Sequence, residues 1–288
     1  MSPDAVLTIA DGPIQVELLP AAGARLHRLR AFGHDLLRTP DDPTEHVRDP
    51  FRWGAYLMAP WCNRIAAEPV DINGKTVSLP SNFPDGTAIH GQVYDAPWDV
   101  QSDDSLEIIA GGDGWPWRYR CSLRVTIADA ALTIEQSLTN LADSPMPAGL
   151  GLHPWFRRPL DLAVHADAVL TSNLDPGASV ETVSGSFDLR ATRPVPEDLD
   201  ATWLGLRDPA VALRWPEIGV TATMRVRSAA GVCIVVASPG SLDAVAVEPQ
   251  THAPQGLRRF LEGEPGALQA LKPGGTLVLT TELAFEAP

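Results

Sequence analysis

An antiparallel β-sandwich or barrel is the fold class that this chain of 288 residues predicts, and three observations point to it. The 27 prolines and 23 glycines make up about one residue in six and recur without any period, which interrupts the chain too often for long helices. Between these breakers lie short segments that alternate apolar and polar residues, the mark of half-buried strands. The segments follow one another at roughly 8 to 12 residues with turn signals between them, a spacing typical of sandwiches and barrels. Such folds often run past 200 residues as one unit. No stretch reads as a linker, so residues 1–288 are expected to form a single domain.

The elements are taken in chain order. Pro40 to Pro69 has no clear period and reads as long connections or short helices. The clearest strand runs from Tyr119 to Ile127, with Tyr119, Cys121, Leu123, Val125 and Ile127 on one face and Arg120, Ser122, Arg124 and Thr126 on the other. Ala128-Asp129-Ala130 turns the chain into a second strand, where Leu132, Ile134 and Leu138 oppose Thr133, Glu135, Ser137 and Thr139. Asp161 to Ala201 again reads as irregular. Val211 to Trp215 with Val220 to Val226, and Val232 to Ala237 with Ala244 to Val247, read as two further strand pairs. Thr251 to Gly266 is a third irregular stretch, and Thr276 to Phe285 closes the chain as a strand. Long ordered loops on a rigid sheet are where sites usually sit.

Composition excludes several classes of function. Apolar residues at 44% and charged residues at 20% fit a folded globular chain and neither a disordered one nor a coiled coil. With 22 basic against 36 acidic side chains the net charge is -14, which repels phosphate backbones and anionic lipid heads, so no nucleic-acid or membrane partner is expected. Only Lys75 and Lys272 are lysines, which leaves little room for Schiff-base chemistry. Cys62, Cys121 and Cys233 are too few and too scattered for a disulfide framework or a CxxC metal site. The opening MSPDAVLTIADG has no basic and apolar leader pattern, and no apolar run reaches the roughly 18 residues that span a bilayer. A cytoplasmic location is the expectation.

Polar groups able to titrate or bind gather at four places: Asn63-Arg64, His90-Gly91, His153-Pro154-Trp155-Phe156 and Glu248-Pro249-Gln250-Thr251. His153 follows Leu150-Gly151-Leu152, and Glu248 follows Ala244-Val245-Ala246-Val247, so both follow segments that read as buried strand. A lone charge there is costly without a task or a partner. Each also precedes a proline, which holds its backbone extended. The other histidines, His27, His34, His46, His165 and His252, have polar or loop surroundings that draw no attention. Taken singly, a histidine in a sandwich is more often a hydrogen-bonded structural residue than a catalyst, and Glu248 alone would serve as an ion-pair partner for Arg64.

As a set, the four places match a family. NRIA (Asn63 to Ala66), IHG (Ile89 to Gly91), GLHPWF (Gly151 to Phe156) and EPQT (Glu248 to Thr251), in that order over nearly the whole chain, resemble the aldose 1-epimerases, or galactose mutarotases. The ending, with Leu271, Pro273-Gly274-Gly275-Thr276 and a final strand, is similar too. The resemblance implies a large antiparallel β-sandwich, the supersandwich. It also implies a small-molecule sugar substrate, ring opening by general acid and base, and no cofactor or metal. Residue by residue, it places the base at Glu248 and the acid at His153. Arg64 and His90 become sugar ligands or electrostatic helpers and the substrate-binding Asn63 shapes their loop; the hydroxyl-gripping aspartate is placed at Asp200 in LDATWLG, with Asp175, Asp188 and Asp198 the other acids of that region, and Trp155 or Phe156 offers a stacking surface for the ring. The chemistry suits a histidine poised near neutral pH beside a carboxylate that stays ionised.

Four rival readings use parts of the same set. A non-catalytic carbohydrate-binding sandwich needs the aromatics, the aspartate and the arginine but not both His153 and Glu248. A metal enzyme would take His90, His153 and Glu248 as a two-histidine, one-carboxylate set, although no HxH spacing favours it. A glycosidase needs two carboxylates across the scissile bond, and only Glu248 lies in a marked acidic motif. A hexose 6-phosphate epimerase needs a basic cluster at the ring site, for which Arg64, Arg157 and Arg158 are the nearest residues to the motifs.

Overall fold

The computed structural model describes residues 6–175 and 177–287. Among these residues the strands join into one large antiparallel sheet with three small two-stranded ones beside it. One arm of the large sheet pairs in turn Leu7–Asp11, Ile14–Leu19, Arg25–Ala31, Ala55–Met58, Gly151–Arg157, Ala244–Gln250 and Cys233–Ala237. The other arm pairs Asp99–Ser102, Ser105–Gly112, Trp115–Ala128, Ala131–Asn140, Thr276–Glu286 and Val220–Arg227.

The long strand Asp200–Trp215 belongs to both arms. Its first residues pair with Cys233–Ala237 and its last with Val220–Arg227, while Asp161–Leu170 runs along its other edge. The sheet curls back on itself, and its two arms share the main apolar core. This is the antiparallel sandwich that the alternation predicts.

Alternation decides what fills that core. Along Trp115–Ala128 the residues Trp115, Trp117, Tyr119, Cys121, Leu123 and Val125 are buried, and Ile127 at the end is half-buried. Asp129 and Ala130 both adopt positive φ (50° and 58°), the conformation required by the two-residue turn between the paired residues Ala128 and Ala131.

The stretch from Asp161 to Ala201 departs from the expectation of irregular chain. Asp161–Leu170 is a full strand, followed by short strands at Val180–Thr182 and Arg193–Pro194. It escapes detection because Leu162, Ala163, Val164 and Ala166 are all buried, so the segment is covered on both faces and carries no period of two. The other two irregular stretches hold one helix each, Glu45–Arg48 and Gly256–Glu262. No helix among the described residues is long and apolar enough to cross a membrane.

A second, smaller apolar cluster lies on the opposite face of the first arm, formed by Tyr56, Met58, Cys62, Tyr94, Trp155, Ala244 and Ala246. Loops rise over this cluster, and one of them passes close to the strand end at Ala59. There Gly91 has φ 82°, and a Cβ built on it would stand 1.9 Å from the carbonyl oxygen of Ala59. Gly91→Ala is therefore expected to lose about 2 kcal/mol or more of stability, since both the left-handed backbone and the contact oppose a side chain. Urea unfolding would measure it, and a midpoint equal to that of the parent protein would refute the close approach.

Candidate active site

Two parallel consequences of strand alternation build the site. In Gly151–Arg157, Leu152 and Phe156 join the main core while His153 and Trp155 point to the other face. In Ala244–Gln250, Val245 and Val247 enter the core, and Ala246 and Glu248 share the face of His153. These strands are neighbours, and the register that pairs Gly151 with Gln250 and Trp155 with Ala246 sets His153 opposite Glu248. His153 Nε2 lies 3.2 Å from Glu248 Oε1.

Residues 95 positions apart in the chain thus meet as a cross-strand pair. Both are almost wholly buried, at the floor of a cleft of about 600 Å³. The cleft also contains Asn63, Arg64, His90, Trp155 and Asp200, so every sequence-predicted site residue opens on one space. Phe156 is the exception among the candidates, since it packs into the core against Trp215.

Each side chain around the pair is held by named partners. Gln250 Nε2 donates to Glu248 Oε2 (2.9 Å), and Asn63 Nδ2 donates to Gln250 Oε1 (2.7 Å), which ties the NRIA loop to the base strand. The Asn63 backbone N–H donates to His90 Nδ1 (3.3 Å), and the His90 N–H returns a bond to the Asn63 carbonyl (3.1 Å). With Nδ1 accepting, the neutral His90 ring carries its proton on Nε2. Asn63 and His90 both sit at positive φ (57° and 62°), a conformation that asparagine and histidine tolerate better than most side chains and that gathers at functional sites.

Arg64 donates through Nε to Asp85 Oδ2 (2.7 Å). Asp200 accepts from Asn173 Nδ2 (2.5 Å), whose own oxygen accepts from Thr202 (2.6 Å). Trp155 Nε1 donates to the Phe51 carbonyl (2.7 Å), which fixes its indole along the cleft wall.

Burial sets the electrostatics, in the sense opposite to the one expected. It pushes Glu248 well above the usual carboxylate range, with the nearby Asp200 charge adding to the rise. It holds His153 down to about 3, and His90 well below the ordinary imidazole value with His153 and Arg64 contributing. A dry site disfavours charge on either partner, so burial favours a neutral carboxyl beside a neutral imidazole across the 3.2 Å contact.

The sequence reading missed four residues that complete this arrangement. Gln250 lies inside the EPQT motif but carries no charge to mark it. Tyr56 pairs with His153 on the side away from Glu248 and stacks on its ring at 4.4 Å with an angle of 21°. Asp85 steadies Arg64 from a loop with no distinctive pattern.

His252 is the fourth and corrects the view that the remaining histidines are unremarkable. It is buried, its Nε2 accepts from the Cys62 backbone N–H (2.9 Å), and its ring is flanked by Gly149 and Gly256, where any Cβ would collide with it. His27 and His46 are buried as well, 2.9 Å apart through Nδ1 and Nε2. Among the described residues no group of three or more His, Cys, Asp or Glu side chains is arranged to hold a metal ion.

Comparison with known proteins bears on the fold and the family. The curated Escherichia coli (strain K12) protein YphB is 24% identical over 244 residues, covering 80% of this chain and 83% of the relative. Among solved structures, one from Escherichia coli K12 superposes with a TM-score of 0.82 at 22% identity, covering 99% of both chains. The galactose 1-epimerase of Lactobacillus acidophilus NCFM gives a TM-score of 0.74 at 19% identity, covering 97% of this chain and 93% of that one. At such identities these structures share the fold. The family model for aldose 1-epimerase matches residues 6–284, nearly the whole described chain, and this protein belongs to the aldose 1-epimerase family.

Proposed function

We propose that the protein is a mutarotase that interconverts the α and β anomers of a free aldose, with His153 as general acid and Glu248 as general base. The observation that carries this reading is the buried His153–Glu248 pair, 3.2 Å apart at the floor of a cleft also lined by Asn63, Arg64, His90, Trp155 and Asp200. Ring opening needs one proton delivered and one removed at neighbouring oxygens. In the ion-pair form, imidazolium beside carboxylate, His153 gives its proton to the ring oxygen while Glu248 takes the proton of the anomeric hydroxyl. The bond between C1 and the ring oxygen breaks, and the free aldehyde forms.

The pair is left as carboxylic acid beside neutral imidazole, its proton count unchanged. Rotation about C1–C2 and the reverse transfers close the ring on the other face. Burial destabilises the ion-pair form relative to the neutral one, and the neutral form runs the same exchange with the roles reversed, the Glu248 carboxyl donating and the His153 imidazole accepting.

Around the reacting centre, Arg64 and the Nε2–H of His90 donate to sugar oxygens, and Asp200 accepts from hydroxyls. Asn63 shapes the loop, and Trp155 offers an apolar face to the ring. The rival binding module has no use for a buried imidazole–carboxyl pair, which costs desolvation and contributes no contact that a neutral side chain could not make.

Polarimetry on freshly dissolved anomers of several hexoses and pentoses tests the proposal, with relaxation faster than buffer expected without added metal or nucleotide. Glu248→Gln and His153→Ala should each lower kcat by about a hundredfold or more, whereas Arg64→Ala should act mainly on KM. Near-normal turnover in either of the first two would remove that residue from the mechanism.

The pH profile follows from the sign of the shifts. Below the raised value of Glu248 and above the value of about 3 for His153, the pair holds its single proton, and that is the active count. The rate then falls as pH rises and that proton leaves, and falls again at low pH as a second proton is added. A plot of kcat/KM should run level through about pH 6.5, the ordinary histidine value. An acid limb centred there would contradict the one-proton state.

The charges of the cleft favour an unphosphorylated aldose. Its two arginines are already engaged, Arg64 with Asp85 (2.7 Å) and Arg52 with Asp49 (3.3 Å), while Asp198, Asp200 and Glu248 add carboxyls to the same lining. Arg157 and Arg158, which follow the histidine motif, do not line the cleft. A C6 phosphate would meet arginines that each already neighbour a carboxylate. Catalytic efficiency on glucose is expected to exceed that on glucose 6-phosphate by about tenfold or more at low and at physiological salt, and the reverse order under both conditions would defeat the argument.

A further inference from the structure

Arg25 is the most deeply buried arginine of the described residues, with no exposed surface, and among those residues no carboxylate lies within ion-pair distance of it. Burial lowers it only to about 10, so it is a cation at neutral pH, with Asp49 and Asp95 acting on it through space. An unpaired charge held out of water is costly and persists only where fixed dipoles replace the solvent. Here they do. Nε donates to the Ala22 carbonyl (3.0 Å), Nη1 to the Pro50 carbonyl (2.9 Å) and Nη2 to the Tyr94 carbonyl (2.8 Å), and Nη1 also lies 3.3 Å from His46 Nδ1.

A guanidinium can only donate, so His46 Nδ1 accepts and the neutral ring donates from Nε2 to His27 Nδ1 (2.9 Å). The planar fork thus joins three separate chain segments and orients the two histidines behind them. A lysine ammonium, a point charge on a flexible stem, cannot span these acceptors in the same way.

What this cation supports is the proton-transfer pair. The register that pairs Leu26 with Ala55 sets Arg25 opposite Tyr56, just as Tyr56 is opposite His153 and His153 is opposite Glu248. Four side chains from four adjacent strands form one row across the sheet. The Arg25 guanidinium carbon lies 5.3 Å from the centre of the Tyr56 ring, and that ring stacks on His153. The groups facing His153 are Tyr56 and Glu248 along the row, His90 edge-on at 5.2 Å and Trp155 at 4.8 Å. Tyr56 connects it to the buried Arg25 cation.

We propose that Arg25 is a positioning residue, which clamps the Tyr56 ring and through it fixes the imidazole of His153 against Glu248. The inference rests on the acid and base roles given above, and it adds a residue that touches neither the substrate nor the pair. Misplacing a reacting group by about 1 Å can cost on the order of a hundredfold in rate, so a clamp one ring removed from the acid has a measurable effect.

The test uses the full chain with Arg25→Lys, Tyr56→Leu and the double variant. Arg25→Lys is expected to keep its far-ultraviolet circular dichroism, lose about tenfold or more in kcat, change KM by less than that, and shift the His153 ring resonances, assigned with the His153→Ala variant. Tyr56→Leu should give a loss of similar size, and the double variant should lose little more than either single one, because both act through one column.

Turnover within about twofold of the parent with unmoved His153 resonances in Arg25→Lys would overturn the proposal, as would additive losses in the double variant. If Arg25→Lys fails to fold, Tyr56→Leu decides alone: unchanged kcat and unchanged His153 resonances would refute the column. A parent protein that shows no mutarotation would count against the proposed function, and the His153 resonances would still report on the clamp.

Discussion

The site depends on the register of one strand, Gly151–Arg157, between its two neighbours. Side chains of a strand alternate between faces, so a slip of one residue would turn His153 and Trp155 into the main core and bring Leu152 and Phe156 out to the cleft. Burial of Leu152 and Phe156 in the apolar core resists that slip. The same apolar packing that stabilises the sandwich therefore aims His153. Because the flanking strands are fixed in the same way, Tyr56 and Glu248 arrive on either side of His153 without any loop having to order them.

Depth in the sheet sets the chemistry available to each group. The floor of the cleft is dry, and there a neutral carboxyl beside a neutral imidazole is more stable than two separate charges. The rim is wetter: Arg64 is bound to Asp85 and Arg52 to Asp49, both pairs partly exposed and worth little for stability. In the proposed reaction, proton transfer takes place at the floor and recognition of hydroxyls at the rim. Asp200, intermediate in exposure and raised by burial, stands between the two regimes.

The loops are held to this floor by hydrogen bonds that cross the whole chain. Asn63 is bonded to Gln250, and Cys62 to His252, across separations of 187 and 190 residues. Such contacts let Asn63 and His90 keep left-handed backbones that would relax in a free loop. The ring of His252, packed between two glycines, fastens the loop of Asn63 and Arg64 to the end of the strand that carries Glu248.

The fold class was legible in the sequence because half-buried strands write their environment as a period of two, as in Tyr119 to Ile127. Asp161–Leu170 was not, because a strand covered on both faces has no polar side to alternate with. Chemistry-bearing types in apolar settings marked Asn63, Arg64, His90, Trp155, His153 and Glu248, and a family resemblance added Asp200. The tertiary structure alone decided that charge is disfavoured on both His153 and Glu248, since the cause is the burial of both at a cross-strand position that only the register defines. Arg25, Tyr56 and Gln250 stayed silent in the sequence for the same reason: an arginine, a tyrosine and a glutamine are ordinary residues until neighbouring strands set them in one row or beside one carboxylate.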